Sequence, residues 1–375
     1  MTQFDRREWL QMVGLAAGSS IASRQLFAEM IQGGRSSAAA HKPIRLSLNE
    51  NPYGPAPSVI AAIQREFANL CRYTDDGYGR LVARIAAREQ MPQEQIILGE
   101  ILEPLGTHLS LQGGRGGEFI YSDPGYTALI DSAAEVGGIG IPVPLDRSMQ
   151  NDLAAIAAKV GGRTRAVFLV NPHNPTGTVL DAGQLRSFVR DVSKRALVIV
   201  DEAYLEFSNQ YAERTLADLV RAGENVIVFR TFAKVYGLAG MDIGYGLVPK
   251  NISQLMKKQG FDNPHLFNRV AVAAATASLE DTGYVAAVTA KVALERNLWF
   301  RLLQDLKVKF TESSANFVFM ETGIPHGEFS AAMLKKGVDI GRAFPPYERW
   351  ARISIGLPHE NASARAAVRD LLSKR

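Results

Sequence analysis

Three polar segments of the chain contain side chains that could act together on an amine: residues 171–177, 200–204 and 231–240. Lys234 has an amine that can form a Schiff base with an aldehyde and later move a proton. Asp201 could keep a pyridine nitrogen protonated, which makes the ring an electron sink. Asn174 and Tyr204 can donate hydrogen bonds to a ring oxygen and so tune the Schiff base. These residues predict a pyridine-aldehyde cofactor site with Lys234, Asp201 and Tyr204 as catalytic groups.

Each of these residues also has an ordinary structural interpretation when it is considered alone. Lys234 would be a solvated side chain, Asp201 a helix cap, and Asn174 a turn residue before proline. Their common position argues for function, because all three segments directly follow short apolar runs that are typical of buried strands. Ligands of open parallel sheets bind at the carboxyl ends of the strands. We therefore expect the three segments to converge on one crevice.

The elements that must position these residues alternate along the chain. A helix over residues 182–193 is predicted to begin after Asp181 as its N-cap. Alternating strands and helices predict an α/β fold with a mainly parallel sheet flanked by helices and a smaller α+β domain. We expect a leader and spacer at 1–40, a segment at 41–72 that joins the small domain, a large domain at 73–285 and a small domain at 286–375. The predicted strands are 118–121, 139–143, 166–170, 197–200, 226–230 and 243–248 in the large domain, then 317–320, 338–340 and 351–355 in the small domain.

Composition narrows the class of protein. The 375 residues are 46% hydrophobic with a formal net charge of +4, and no dense basic run points to nucleic acid as a partner. A single cysteine, Cys71, rules out an intrachain disulfide and is expected in the core. The six histidines show no metal-ligand spacing, so no metal site is predicted.

The first forty residues resemble an export signal. Arg6 and Arg7 precede the apolar run 12–22, in the order of a twin-arginine leader, and the run is too short for a permanent membrane anchor. The alternative is an amphipathic helix with two chance arginines. We expect export by the twin-arginine machinery to the periplasm, and a cytoplasmic location if the leader is not functional.

From about Leu46 to the C-terminus, the chain resembles fold-type I, class I and II aminotransferases, within the histidinol-phosphate aminotransferase-like branch. The resemblance implies pyridoxal 5'-phosphate on Lys234 and a homodimer with shared active sites. Residues 48–55, which include Tyr53, resemble a segment that folds over the substrate. Tyr73 resembles a tyrosine that reaches the cofactor phosphate of the neighbouring subunit, and Tyr126 matches the aromatic ring that stacks on the pyridine.

Two arginines carry the expected substrate contacts. Arg352 matches the arginine that binds the substrate carboxylate as a bidentate pair. Arg342 matches a basic position that helps hold the substrate's phosphate in histidinol-phosphate enzymes. By itself Arg342 is a weaker signal, because most single arginines are solvated. Asn174, Tyr53 and Asp242 complete the predicted substrate contacts.

The chain departs from the family where the cofactor phosphate is held. The family's small-residue turn contains Glu100 and Ile101 here, its serine before the lysine is Ala233, and its later arginine is Asp242. Thr231, the turn's amides and Tyr73 could still bind the phosphate. Three interpretations stay open: an acid such as Asp242 pairs with a nearby base, it recognises a cationic substrate, or the site is degraded.

Three functions follow from these observations. The first is amino-group transfer from an L-amino acid to a 2-oxo acid, with Lys234 as the proton carrier. The second is oxidation or hydroxylation of a cationic amino acid such as L-arginine with pyridoxal phosphate and dioxygen, which export and the acidic departures would suit. The third is a non-catalytic exported binding protein on the same fold.

Overall fold

A seven-stranded sheet forms the centre of the computed structural model, which describes residues 42–112 and 114–373. The predicted leader lies outside these residues. The strand order is β2-β8-β7-β6-β5-β3-β4, and the neighbours among β7, β6, β5, β3 and β4 are parallel. The predicted mainly parallel sheet is confirmed. Its strands are β2 (Ile96–Leu98), β3 (Glu118–Asp123), β4 (Ile139–Pro144), β5 (Thr164–Val170), β6 (Leu197–Asp201), β7 (Val226–Thr231) and β8 (Gly244–Leu247).

Two strands at one edge of the sheet differ from the prediction. The last predicted strand of the large domain exists as β8, but it runs antiparallel to β7. Strand β2, which the sequence did not predict, pairs antiparallel with β8 at the edge. A three-residue apolar run is too short to be distinguished from a helix segment by periodicity alone, which explains why β2 was missed.

Alternating side chains make the sheet the boundary between two cores. On β5, Val167 and Leu169 belong to one buried cluster, whereas Ala166, Phe168 and Val170 belong to the other. Successive side chains of a strand point to opposite faces, so both faces of this sheet must be covered. Burial on both faces is why the strands read as continuous apolar runs in the sequence.

Helices cover both faces of the sheet and extend into the C-terminal part. The predicted helix after Asp181 is observed, and the Asp181 carboxylate accepts a hydrogen bond from the Gln184 amide at 2.9 Å. The helices are α1 (Pro57–Glu66), α2 (Asp75–Glu89), α3 (Leu102–Leu111), α4 (Ala128–Glu135), α5 (Leu153–Lys159), α6 (Ala182–Val192), α7 (Tyr211–Arg214), α8 (Ala217–Arg221), α9 (Lys250–Lys258), α10 (Arg269–Glu280), α11 (Thr282–Asp305), α12 (His326–Lys335) and α13 (Pro358–Leu372).

Two small sheets lie outside the central one. Strand β1 (Ile44–Leu46) pairs in parallel with β10 (Val338–Ile340), so the start of the described chain adds to a C-terminal strand. Strand β9 (Phe317–Glu321) pairs antiparallel with β11 (Trp350–Ser354). The division into domains at residues 72 and 285 stays a prediction.

Two further observations concern the surface. Cys71 is exposed in a turn before α2, so its expected place in the core was wrong. A short turn between two helices offers no second layer to bury the thiol. Within the described ranges, no helix combines the length and hydropathy needed to cross a membrane.

Candidate active site

A cavity of about 970 Å³ opens at the carboxyl ends of β5, β6 and β7. Parallel strands place their carboxyl ends at one edge, so the three polar segments converge there as expected. Ten of the predicted site residues line this cavity: Glu100, Tyr126, Asn174, Asp201, Tyr204, Thr231, Lys234, Asp242, Arg342 and Arg352.

Asp201, the carboxyl predicted to be catalytic, is buried at the cavity wall. Asp201 is the last residue of β6 and is 3% exposed, and its Oδ1 accepts a hydrogen bond from the Ala203 amide at 2.9 Å. Burial raises the pKa of Asp201 to about 7, the Ala203 amide opposes this, and the charges of Glu100 and Lys234 act in opposite directions. A cationic ring N–H beside this carboxyl would favour its ionised form. Asp201 therefore fits the nitrogen end of a protonated pyridine.

A chain of hydrogen bonds fixes the orientation of Tyr204. The Asn49 side-chain amide donates to the Tyr204 hydroxyl at 3.2 Å, and the Ser354 hydroxyl donates to the Asn49 side-chain oxygen at 2.9 Å. Because the Tyr204 oxygen accepts from Asn49, its own proton remains available for a ring oxygen. Lys234 Nζ lies 5.7 Å from the centre of the Tyr204 ring. The amine and the phenol thus face the same volume.

Asn49 and Ser354 were not predicted as functional residues. Asn49 lies in segment 48–55, in which only Tyr53 was predicted to contact the substrate. Asn49 is buried and lines the cavity. Ser354 is 305 residues from Asn49 in the chain, so only the fold could reveal the contact. The sequence shows Asn49 only as a polar residue beside Leu48 in a turn-rich segment. That pattern does not indicate which side chain Asn49 would bind.

Arg352 is a buried cation in the cavity wall. It lies on β11, donates to Asn174 Oδ1 at 2.7 Å and to the Ser47 carbonyl at 2.8 Å, and has no ion-pair partner among the described residues. Burial lowers its pKa to about 10, so it stays charged at neutral pH. Buried charges in proteins are normally paired, and an anionic ligand would supply the missing charge. Since Asn174 accepts through Oδ1, its amide nitrogen is free to donate into the cavity.

Two exposed side chains lie nearer the mouth of the cavity. The Arg342 guanidinium stacks 4.2 Å from the Phe344 ring centre and donates to the Ala343 carbonyl at 2.9 Å. Tyr126 is 41% exposed, and burial of part of its ring together with the Asp201 charge raises its pKa. A second cation at the mouth could hold a second anionic group of a substrate.

The predicted phosphate end is acidic. Thr231 donates a hydrogen bond to Glu100 Oε1 at 2.5 Å and accepts one from the Ala233 amide at 2.9 Å. Asp242, with a φ of 49°, lines the same wall from the loop before β8. The Thr231 hydroxyl proton is therefore already engaged by an acid.

Three residues predicted to contact the cofactor or substrate do not line the cavity. Tyr53 packs under Lys291, whose Nζ is 4.8 Å from the ring centre. Ile101 points its side chain into the core against Gly246 and could contribute only its backbone. Tyr73 is 69% exposed and packs edge-on against His265.

A buried ionic cluster supports β6 and β7 behind the site. Arg230 donates to Glu89 at 2.6 Å and to Glu202 at 2.9 Å, and all three side chains are at most 6% exposed. Glu202 also accepts a hydrogen bond from the Leu216 amide at 2.8 Å. Glu202 directly follows Asp201, so this network fixes the backbone that carries the Asp201 carboxyl.

The chain belongs to the class I and II aminotransferase family, whose model matches residues 41–368. The histidinol-phosphate aminotransferase of Moorella thermoacetica is 35% identical over 340 residues, 88% of this chain and 86% of the relative. An aromatic amino acid aminotransferase of Rhodococcus opacus is 36% identical over 320 residues, 85% of this chain and 87% of the relative. The histidinol-phosphate aminotransferase of Sinorhizobium meliloti, solved in complex with pyridoxal-5'-phosphate, has a TM-score of 0.80 and 30% identity and covers 88% of this chain and 91% of its own.

Family membership confirms the predicted fold, enzyme class and cofactor: this is a pyridoxal-phosphate-dependent enzyme of the aminotransferase type. The described residues fit the ring end of that cofactor. Lys234 could supply the amine, the buried carboxyl of Asp201 could hold the ring nitrogen, and Tyr204 and Asn174 have donors that could bind the ring oxygen. The acidic phosphate end needs a separate explanation.

Proposed function

We propose that this enzyme transfers the amino group of an L-amino acid or a related amine to a 2-oxo acid, with histidinol-phosphate-like substrates as the first candidates. The observation that carries this proposal is Arg352, a buried cation that faces the catalytic amine across one cavity and has only neutral partners among the described residues. The carboxylate of an amino acid, or the phosphate of an amino-alcohol ester such as histidinol phosphate, would complete its charge pairing.

The roles of the side chains follow from their positions. When bound, pyridoxal phosphate supplies an aldehyde for the amine and a protonated ring that accepts electrons from the substrate's α-carbon. Arg352 and Asn174 orient a substrate carboxylate at one wall. The Lys234 amine takes the proton from the substrate's α-carbon and gives it up again later in the transfer, so it acts as the proton carrier. Asp201 keeps negative charge beside the ring nitrogen, and Tyr204 donates to the ring oxygen.

The cavity mouth supports a substrate with a second anionic group. Arg342 lines the cavity together with Arg352, and its guanidinium lies over the Phe344 ring. One of its nitrogens donates to the Ala343 carbonyl, and the guanidinium has further N–H donors for a ligand. A dicarboxylic amino acid presents such a distal anion beside its α-carboxylate, whereas histidinol phosphate has no carboxylate and presents one phosphate, which Arg342 and Arg352 could bind together. The relatives in Moorella and Sinorhizobium are named for histidinol phosphate, which places that substrate first in a screen.

Arg352→Gln should lower kcat/KM for carboxylate-bearing amino donors about 10²-fold, because a buried charge-assisted contact is lost. The corresponding amine without the carboxylate should be affected little, so the wild-type preference for the acid should collapse. Arg349→Gln is the matched control, since Arg349 is exposed one residue before β11. An equal loss for the acid and the amine would contradict a carboxylate-binding role.

Oxidation of a cationic amino acid by dioxygen is the second candidate, and the acids Glu100, Asp242 and Glu103 on the cavity wall favour it. The two arginines in the same cavity favour an anionic substrate instead. An amino-acid screen under air and under nitrogen separates the two reactions. Oxygen uptake with arginine alone would overturn transamination, whereas amination of a 2-oxo acid at equal rates in both atmospheres would exclude the oxidase.

We also propose a homodimer in which Tyr73 serves the partner's site. The support is a cluster of exposed apolar side chains near Tyr73: Phe67, Leu70 and Leu266 are 58%, 62% and 76% exposed. Exposed apolar clusters of this kind mark protein interfaces. A monomer by light scattering in the presence of cofactor would contradict the proposal.

Export to the periplasm is proposed from sequence alone, because residues 1–41 lie outside the described ranges. The order of Arg6, Arg7 and the apolar run 12–22 supports the twin-arginine machinery. Replacing both arginines by lysine should retain the protein in the cytoplasmic fraction. Unchanged periplasmic recovery would refute this route.

A further inference from the structure

We propose that Glu100 binds the cofactor phosphate as a neutral acid and donates its proton to a phosphate oxygen, so that the enzyme takes up this proton when the cofactor binds. The inference deepens the proposed function and rests on it, because it concerns how this chain holds pyridoxal phosphate. It makes Glu100 a binding residue for an anion despite its acidic side chain.

The first step is that this wall of the cavity is the one suited to an anion. Helix α3 begins at Leu102, directly after Glu100 and Ile101, and Leu102 lines the cavity. The N-terminus of a helix presents free amide protons and partial positive charge, which favours phosphate. Lys234 also lines the cavity, and its positive charge acts on Glu100.

The second step is that Glu100 is seated in this wall. Its Oε1 accepts the 2.5 Å hydrogen bond from Thr231. On the other side it packs against Gly244 of β8, where an added Cβ would lie 3.0 Å from Oε1. The lack of a side chain at Gly244 leaves the space that Glu100 fills. The carboxyl is therefore held between β7 and β8 and cannot be regarded as a freely solvated group.

The third step concerns charge. Lys234 and the hydroxyl of Thr231 act on Glu100 as a cation and a hydrogen-bond donor. Two acids also act on it: Asp242 on the loop before β8 and Glu103 in the first turn of α3. Asp201 on β6 and Tyr126 also interact with it. Acids outnumber the single amine, so a phosphate dianion arriving beside an ionised Glu100 would be strongly repelled. Binding of the dianion and ionisation of Glu100 therefore exclude each other.

The fourth step identifies the proton. Thr231 donates to Oε1, so a proton on the carboxyl would be carried by Oε2 and would be available to a ligand. Ala233 removes the hydroxyl donor that the resemblance predicts just before Lys234, and a neutral carboxyl replaces it. Burial, the largest contribution, raises the pKa of Glu100 to about 7, while its Thr231 hydrogen bond opposes the shift and Asp242 adds to it. The neutral form is thus accessible near neutral pH.

The experiment compares the wild type with Glu100→Gln, which keeps the shape and a donor but cannot ionise. Cofactor is removed from both, and the Kd of pyridoxal phosphate is measured by fluorescence titration at pH 6, 7, 8 and 9. The ratio of wild-type to variant Kd should be near one at pH 6 and rise about tenfold per unit above pH 7. Because both proteins share the ionisations of the phosphate and Lys234, the ratio isolates Glu100.

Two further measurements make the result specific. Calorimetric titration at pH 8 in buffers of different ionisation enthalpy should show about one more proton taken up by the wild type than by Glu100→Gln. Asp242→Asn removes an exposed acid whose charge raises the pKa of Glu100, so the rise of Kd relative to Glu100→Gln should remain in this variant and begin at a lower pH. If Glu100→Gln does not fold, wild-type binding of pyridoxal, which lacks the phosphate, replaces it as the reference.

The outcomes separate this inference from the proposed function. A ratio that is constant from pH 6 to 9, whether near one or large, would overturn the role of neutral Glu100 while leaving the cofactor assignment intact. Absence of cofactor binding by both proteins at every pH would overturn both. A rising ratio with the extra proton would establish that binding is coupled to protonation of Glu100.

Discussion

Lys234→Ala should abolish the visible absorption band of the lysine-bound cofactor and lower kcat by at least about 10⁴-fold, equivalent to about 5 kcal/mol of barrier. Lys234 follows β7 and is the amine that lines the cavity beside Tyr204 and Asp201. The same side chain supplies the covalent attachment and the proton transfer, so one substitution removes both functions.

The comparison for this variant is Lys250→Ala, because Lys250 is exposed at the start of α9 and does not line the cavity. Its spectrum and rate should match those of the wild type. Added methylamine should restore part of the activity of Lys234→Ala by replacing the proton carrier. An unchanged absorption band in Lys234→Ala would remove the central assignment of the site.

Asp201→Asn should lower kcat about 10³-fold without a comparable change in stability. The carboxyl is 3% exposed at the end of β6, and it is the group placed to keep negative charge beside the ring nitrogen. Removal of a preorganised charge that acts on the reacting system typically costs two to three orders of magnitude. The amide keeps the size of the side chain, so the loss reports charge and not packing.

A pH series gives this second prediction its internal check. Burial raises the pKa of Asp201 to about 7, and a cationic ring nitrogen would lower it in the loaded enzyme. Cofactor-loaded wild type should therefore keep its activity below pH 7. In the cofactor-free enzyme, by contrast, Asp201 would be mostly protonated at that pH. Asp123→Asn, at the exposed end of β3 outside the cavity lining, should leave the rate unchanged. A similar loss in both variants would point to a general electrostatic effect.

The order of local elements could be predicted because it depends on local information. Apolar runs such as 166–170 and 197–200 indicate strands that are buried on both faces. The N-cap residue Asp181 indicates the start of α6. Asp201 ends β6 and Lys234 lies three residues after β7, and because neighbouring parallel strands end at the same edge, the two side chains were expected to meet there. Pattern and chemistry predicted the crevice and a cofactor site, and the resemblance to aminotransferases added the class of enzyme and pyridoxal phosphate.

Contacts between distant segments could not be predicted in this way. The link from Ser354 through Asn49 to Tyr204 joins positions up to 305 residues apart, and no periodicity encodes it. Edge strand β2 was missed because a run of three residues carries little pattern, and exposed Cys71 was misjudged because residue type alone gives only an average burial.

The cofactor site shows most clearly which features the local sequence predicts and which depend on contacts between distant segments. By itself the sequence determined the fold class, the amine of Lys234, the carboxyl of Asp201 and the fact that acids replace the usual phosphate-binding residues. Only the tertiary structure decided that Thr231 donates to Glu100 in the space left by Gly244, and that Arg352 is buried against Asn174. The physical reason is that hydrogen-bond direction, burial and the sum of nearby charges depend on which segments meet, and that is settled only when the chain has folded.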